Sequence, residues 1–280
     1  MTTSIAYLGP EGTYAEAAAL SYANLLHQAG QETVLCPCAS IALTLDAIVQ
    51  SQTHCAVVPI ENSIQGSVTV TLDSLWQLDI LRIQQALVMP ISHALISTAA
   101  QLDAILEVHA HPQALAQCQQ WLAHHLPNAK LISTNSNAEA LKDLNTRPTL
   151  AAIAGQRAAA LYQLPVLAHP INDYPENCTR FLVMSREPSP GGSHTSIAFS
   201  VSANQPGMLV KPLQIFADQG INLSRIESRP TKRSLGDYLF FVDLEADARE
   251  PVTQAVFEEL AHYTETLKIF GSYDILTTAL

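Results

Sequence analysis

One stretch divides this chain. Glu187-Pro188-Ser189-Pro190-Gly191-Gly192-Ser193-His194 carries two prolines, two glycines and no side chain that a core would take. Such a segment continues neither a helix nor a buried strand, so it reads as a linker between two units with cores of their own. The expected division is 1–186, a linker at 187–194, and a second unit at 195–280.

Before the break, short β-branched runs alternate with stretches of helical period. Ser4 to Leu8 reads as a strand, and the next helix carries Ala18, Tyr22, Leu25 and Leu26 on one stripe. Cys55 to Ile60 is apolar throughout, as a strand buried on both faces must be. Further strands are expected at Leu81 to Ile96, Glu107 to Ala110, Lys130 to Ser133, Leu150 to Ile153 and Thr179 to Met184. Helices fill 40–51, 68–78, 112–125, 136–144 and 155–163, which predicts an α/β domain.

After the break, Ile197, Phe199 and Val201 alternate with small residues, and Leu209, Leu213, Phe216 and Ala217 form a helical stripe. Ile221 to Ser228 and Tyr238 to Leu244 alternate again, followed by a helix near 252–262 and a strand near 267–275. The order βαββαβ is that of a ferredoxin-like sandwich, a frequent small-ligand module.

Charge excludes several partners. Lys+Arg 14 against Asp+Glu 25 leaves −11, and no basic run interrupts that balance, so nucleic acid is not the expected partner. Residues 1–190 hold seven cations and fourteen acids, hence −7. An anionic substrate would have to be held there by local donors, since long-range steering opposes it. No apolar run nears the about 18 residues of a membrane span, and Met1-Thr2-Thr3-Ser4-Ile5 lacks the basic start of a signal peptide. A soluble cytoplasmic protein without membrane partners is expected. The five cysteines read as buried thiols; Cys36-Pro37-Cys38 has no second pair at metal-site spacing.

Four segments could carry chemistry. Gly9-Pro10-Glu11-Gly12-Thr13 follows a strand and opens a helix, where free amides favour an anion, although it matches neither the Walker nor the dinucleotide pattern. Pro59 to Gly66 is a polar burst at the carboxyl end of the buried strand, the edge at which α/β sheets bind ligands. There Asn62 and Ser63 offer neutral donors, or serve as a helix cap. In His111 to Cys118, Pro112 suits a first helical turn, and Gln113 and Gln117 share a face. In Asn177-Cys178-Thr179-Arg180-Phe181, successive side chains of an extended segment point to opposite faces, so Thr179 and Arg180 should not share a pocket. Arg180 could meet a substrate carboxylate or pair internally with Glu61 or Glu176. Neither a Ser/His/Asp order nor a zinc or cofactor signature appears, which points to chemistry that needs little acid–base power.

Taken together and in this order, the four segments resemble prephenate dehydratases. Gln205 to Leu209 and Ile221 to Pro230 are similar to the phenylalanine-binding motifs of the ACT regulatory domain in that family. The resemblance implies a catalytic domain of two α/β lobes, periplasmic-binding-protein-like, with residues 1–75 and 155–185 expected in one lobe and 76–154 in the other. It implies conversion of prephenate to phenylpyruvate, inhibited by phenylalanine at the ACT domain, with no metal or organic cofactor, in a homodimer or homotetramer. Without a leading helical segment of the chorismate mutase kind, a monofunctional enzyme is expected.

Carried over residue by residue, Thr179 is the donor to the departing hydroxyl, and Asn62 and Gln117 bind and orient the substrate. Ser63, Thr13 and Arg180 are expected near it. Glu61 is matched too, but a bare carboxylate beside a dianion is repulsive, so it is expected to be paired or structural. Gly207, Met208, Leu209, Asn222, Glu227, Ser228 and Arg229 would form the effector site. Two positions depart from the family pattern: Ala110 stands where a serine often precedes the histidine–proline pair, and Pro212 follows the Gly207 turn closely, so the helix should begin near Val210. Arogenate dehydration and a non-catalytic amino-acid sensor are the alternative readings.

Overall fold

The computed structural model describes residues 2–201 and 205–278. The chain begins with β1 (Thr2–Leu8), α1 (Tyr14–Gln28), β2 (Glu32–Cys38), α2 (Ile41–Val49), β3 (Cys55–Asn62), the short β4 (Gly66–Ser67), α3 (Thr69–Gln77) and β5 (Arg82–Pro90). It then crosses to a second lobe: β6 (Ala94–Ile96), β7 (Glu107–Ala110), α4 (Pro112–Gln117), α5 (Gln119–His125), β8 (Lys130–Ser133), β9 (Leu150–Ala154), α6 (Gln156–Leu161) and β10 (Val166–Ala168). It returns along β11 (Cys178–Ser185). The C-terminal unit is β12 (His194–Ser200), α7 (Val210–Asp218), β13 (Leu223–Pro230), β14 (Tyr238–Leu244), α8 (Pro251–Ala261) and β15 (Thr266–Tyr273), followed by β16 (Ile275–Thr277).

The two lobes share one topology. In lobe one the sheet runs β16-β5-β11-β3-β1-β2, with β1, β2 and β3 parallel and β11 antiparallel to both neighbours. In lobe two it runs β10-β6-β9-β7-β8, where β7, β8 and β9 are parallel and β6 is the antiparallel insertion. Each lobe thus receives the strand that arrives from the other, and the cleft lies between them, as in periplasmic binding proteins.

Sheet membership divides the chain differently from the expected boundaries. Strand β5 belongs to lobe one, and 155–168 belong to lobe two. The single strand expected over Leu81 to Ile96 is two, because the chain leaves one sheet after Pro90 and enters the next at Ala94. At this crossing Asn172, from the return segment, replaces the ladder: its Oδ1 accepts from His93 N at 2.6 Å and its Nδ2 donates to Ile91 O at 2.8 Å. The expected helix over 112–125 breaks at Cys118, where φ is −122°. The helix expected over 136–144 shrinks to a short 3-10 turn at Glu139–Leu141. Strand β2, which sequence patterning missed, sits at the sheet edge, where Pro37 costs no ladder bond.

The C-terminal unit forms the four-stranded sheet β13-β14-β12-β15, the ferredoxin-like order, and α7 starts at Val210. It shares a core with lobe one. Ala198, Leu239, Phe241, Phe270 and Tyr273 pack with Leu72, Leu75 and Ile83 in one buried cluster. Strand β16 then extends lobe one's sheet, pairing Ile275 to Ala86 alongside β5. The segment 187–194 is accordingly a packed joint: a Cβ on Gly192, at φ +151°, would stand 2.3 Å from the carbonyl carbon of Tyr273. Among the described residues no helix is long and apolar enough to cross a membrane.

Candidate active site

A cleft of about 880 Å³ opens between the lobes. Lobe one contributes the β1–α1 turn, the carboxyl end of β3 and the start of α3; lobe two contributes α4 and the 135–137 loop.

Local sequence aims the polar side chains at this space. Asn62 ends β3, and its Oδ1 accepts from the amides of Ile64 and Gln65, each at 3.1 Å, turning the chain back into β4. Thr179 lies opposite Asn62 in the β11–β3 pairing. Gln117 ends α4, where the helix breaks. The carboxylate of Asp173 caps the next helix by accepting from Gln120 N at 2.9 Å and Trp121 N at 3.0 Å, while Asp173 N donates to Gln117 O.

These side chains join into a directed hydrogen-bond chain. His93 Nε2 meets Gln117 Oε1 at 2.9 Å, and Asn177 Nδ2 donates to the same oxygen at 2.9 Å. Gln117 Nε2 donates to Asn62 Oδ1 at 3.3 Å, and Asn62 Nδ2 donates to Thr179 Oγ1 at 2.9 Å and Asn177 Oδ1 at 2.8 Å. Burial lowers the pKa of His93, with the Gln117 bond opposing it, so the ring is neutral and donates from Nε2. Tyr14 stands behind the ring: its hydroxyl donates to Ser92 O at 2.6 Å, and burial pushes its pKa up.

The consequence falls on Thr179. Its oxygen accepts from Asn62, and among the described residues its own hydrogen has no protein acceptor, so it faces the cleft. Asn62, expected to touch substrate, is saturated: its Nδ2 meets three protein acceptors and its Oδ1 three protein donors. Gln117 keeps one amide hydrogen to offer.

Other expected contacts are spent elsewhere. Thr13 lines the cleft, but its hydroxyl caps α1, accepting from Glu16 N and donating to Leu8 O at 3.0 Å. Ser63 is exposed and closes the turn against Cys178 N at 3.0 Å. Arg180 and Glu61 do not reach the cleft. They pair with one another on the opposite face, and Arg180 also holds Asp243 of the C-terminal unit at 3.1 Å. Burial opposes the charge on Arg180, but these two carboxylates outweigh it and its pKa is raised. Ala110, the departure from the family pattern, is buried in the core of lobe two.

Three residues of the site escaped sequence reasoning. His93 and Asn177 complete the chain, and Lys142 is the one lysine or arginine lining the cleft among the described residues. A lone histidine after a strand and a lysine in a polar turn carry no periodic signal. Only Asn177 had an advance sign, since it lies within a segment already chosen for chemistry; His93 and Lys142 are far along the chain from all four. Glu139, the one carboxylate lining the cleft among the described residues, is turned back onto Asn135 N at 3.2 Å.

The expected effector residues are not gathered by one chain. Gly207, at φ +82°, with Met208 and Leu209, precedes α7, whereas Asn222 follows it, nine helical residues or about 13 Å away. On β13, Glu227 and Arg229 share the half-buried face and Ser228 is exposed. Arg229 grips Asp73 of α3, with Nη2 at 3.0 Å from Oδ1 and 3.1 Å from Oδ2. Burial would raise the pKa of Asp73, but the bonds from Lys232 and Arg229 hold it below the usual range.

Known proteins share this architecture. The prephenate dehydratase family model matches residues 5–189 and the ACT domain model matches 195–262. The bifunctional chorismate mutase/prephenate dehydratase of Stutzerimonas stutzeri is 38% identical over 271 residues, covering 96% of this chain and 72% of that protein. The crystal structure of prephenate dehydratase from Arthrobacter aurescens in complex with L-Phe superposes with a TM-score of 0.86 at 34% identity, covering 97% of this chain and 90% of that one. GqqA, described as a novel type of quorum quenching acylase, superposes at 0.80 with 28% identity, covering 96% and 97%. By its two-lobed catalytic unit, its C-terminal ACT domain and the extent of these matches, the chain belongs to the prephenate dehydratase family.

Proposed function

We propose that this chain converts prephenate to phenylpyruvate and is inhibited by phenylalanine bound at its ACT domain. The observation that carries the first part is the unspent hydroxyl hydrogen of Thr179, held over the cleft by Asn62.

The reaction needs that and little more. The ring carboxylate departs as carbon dioxide, the electron pair of its C–C bond enters the ring, and the C–O bond on the far side breaks with the hydroxyl. Aromatisation supplies the driving force, so the protein's task is to orient the substrate and stabilise the oxygen as charge develops on it. Thr179 donates to that oxygen. The run of amides from His93 polarises the donor toward the cleft, as chains of aligned hydrogen bonds do. Gln117 offers its remaining N–H, and Lys142 supplies the countercharge for a carboxylate.

Two rival chemistries fit less well. Arogenate carries an ammonium group in place of the ketone, and the carboxylate lining the cleft, Glu139, is already bonded to a backbone amide. Acyl transfer requires an activated nucleophile. Among the described residues the serines and threonines lining the cleft bond no histidine, while the Ser92–His169 pair at 2.7 Å is outside it.

Phenylalanine regulation is supported by the ACT domain and by the L-Phe complex of the Arthrobacter aurescens enzyme. A homodimer or homotetramer is the assembly proposed: β13 is an open sheet edge with Ile226 exposed on it. The test is an ultraviolet assay of phenylpyruvate formed from prephenate, run with and without phenylalanine and repeated on arogenate. Turnover of prephenate that phenylalanine suppresses is the expected result. A higher kcat/KM on arogenate, or no product from either substrate, overturns the proposal.

A further inference from the structure

A buried carboxylate of the ACT sheet lies directly behind the catalytic strand. Asp243, on β14, is 3% exposed. Its Oδ1 accepts from Ser196 Oγ at 2.6 Å; its Oδ2 accepts from Arg225 Nε at 2.9 Å and Arg180 Nη1 at 3.1 Å. The second arm of Arg180 bonds Glu61, and the second arm of Arg225 reaches Ser67 Oγ at 3.2 Å on β4. Tyr273 closes the remaining side through Ser196 at 2.7 Å. Glu61, Arg180, Asp243 and Arg225 alternate in sign and sum to zero.

This cluster grips the backbone that aims the reacting groups. Glu61 precedes Asn62 on β3, Arg180 follows Thr179 on β11, and Ser67 lies on the hairpin that Asn62 turns. Thr179 pairs with Asn62 across the sheet, and Arg180 pairs with Glu61. Immediately after Arg180 the ladder to β3 slips register, while the ladder to β5 runs unbroken from Cys178 to Val183, so on the β3 side the side-chain cluster adds to what the backbone bonds hold. Neutralising Asp243 would leave the guanidinium groups of Arg180 and Arg225 facing each other with Glu61 as the one carboxylate left in the cluster. Arg180 would then shift and take its neighbour with it.

We infer that Asp243 is a positioning residue for the dehydration: from the ACT domain, through Arg180, it fixes the direction of the Thr179 hydroxyl. The inference rests on reading Thr179 as the donor to the departing oxygen. It makes the ACT sheet a structural part of the active site even when no effector is bound.

The test is a double-mutant cycle on the full chain, with kcat and KM for prephenate measured for wild type, Asp243→Asn, Thr179→Ala and the double variant. Asp243→Asn should lower kcat by about tenfold or more and move KM less than about twofold, since it touches no substrate. In the Thr179→Ala background the same substitution should change kcat less than about twofold, because the group it positions is gone. Equal losses in both backgrounds, or no loss in the single variant, overturn the inference. Full turnover by Thr179→Ala instead removes the reading beneath it, so the two failures are told apart. Should Asp243→Asn not fold, Arg180→Lys takes its place in the cycle, because one ammonium cannot bridge Glu61 and Asp243 as a guanidinium does. Its loss must likewise vanish in the Thr179→Ala background, and additivity there overturns the inference.

Discussion

Asn62 Nδ2 donates to Thr179 Oγ1 at 2.9 Å, joining residues 117 positions apart across the β3–β11 pairing. That bond fixes the direction of the threonine proton, because an oxygen that accepts from Asn62 must donate elsewhere. The first prediction follows. Thr179→Ala should lower kcat by about a hundredfold, the scale of a lost oxyanion donor. Thr179→Ser, which keeps the hydroxyl, should stay within about tenfold of wild type. Asn62→Asp should resemble Thr179→Ala, since a carboxylate in place of the amide draws the hydroxyl proton to itself. Steady-state rates of phenylpyruvate formation check all three, and wild-type turnover by Asn62→Asp would separate Asn62 from the threonine.

A second expectation concerns pH. His93 is buried and its pKa is lowered from the ordinary imidazole value of 6.5. As pH falls below 6.5, the unfolded chain takes up a proton that the folded chain refuses, so stability is complete above that value and declines as pH falls toward the folded-state pKa. The decline should be smaller in His93→Gln, measured as denaturant midpoints between neutral and acidic pH. An identical acid dependence in both proteins would show that the imidazole is not the linked group.

Lys142 should act on binding. A prephenate dianion in a cleft where Lys142 is the one lysine or arginine among the described residues loses a charge-assisted contact when that lysine is removed, worth about 1.5–3 kcal/mol. Lys142→Met should therefore raise KM by about tenfold or more, with kcat changed far less. A drop in kcat at constant KM would place the lysine in the chemical step instead.

Arg229 distinguishes an effector ligand from an interdomain clamp. Because it grips Asp73 on α3, whose first residue lines the cleft, Arg229→Ala should leave phenylalanine binding intact by calorimetry while weakening inhibition several-fold. Loss of the binding heat would return Arg229 to the effector site.

Much of this architecture was legible in the residue pattern. The apolar run at Cys55 to Ile60, the helical stripes and the Pro/Gly break each obey a local rule, and they predict the α/β unit, the βαββαβ unit and the start of α7 at Val210. Thr179, Asn62 and Gln117 lie in polar segments that the pattern marks, but it is the resemblance to prephenate dehydratases that singles them out. Alternation along an extended strand likewise predicts that Thr179 and Arg180 face opposite ways.

Periodicity says which face of an element is buried, not what covers it. Whether Arg180 meets substrate or Asp243, and whether Arg229 meets an effector or Asp73, depends on surfaces brought together from distant parts of the chain. So does the lobe to which β5 belongs, the return of β16 into the first sheet, and the conversion of a Gly/Pro linker into a packed joint. The saturation of Asn62 was equally hidden, because an amide's partners are counted in space. Amino-acid order alone therefore determined the elements and the chemical vocabulary of this protein. Tertiary packing decided which donors remain free for substrate, because a buried polar group must first satisfy the neighbours that folding gives it.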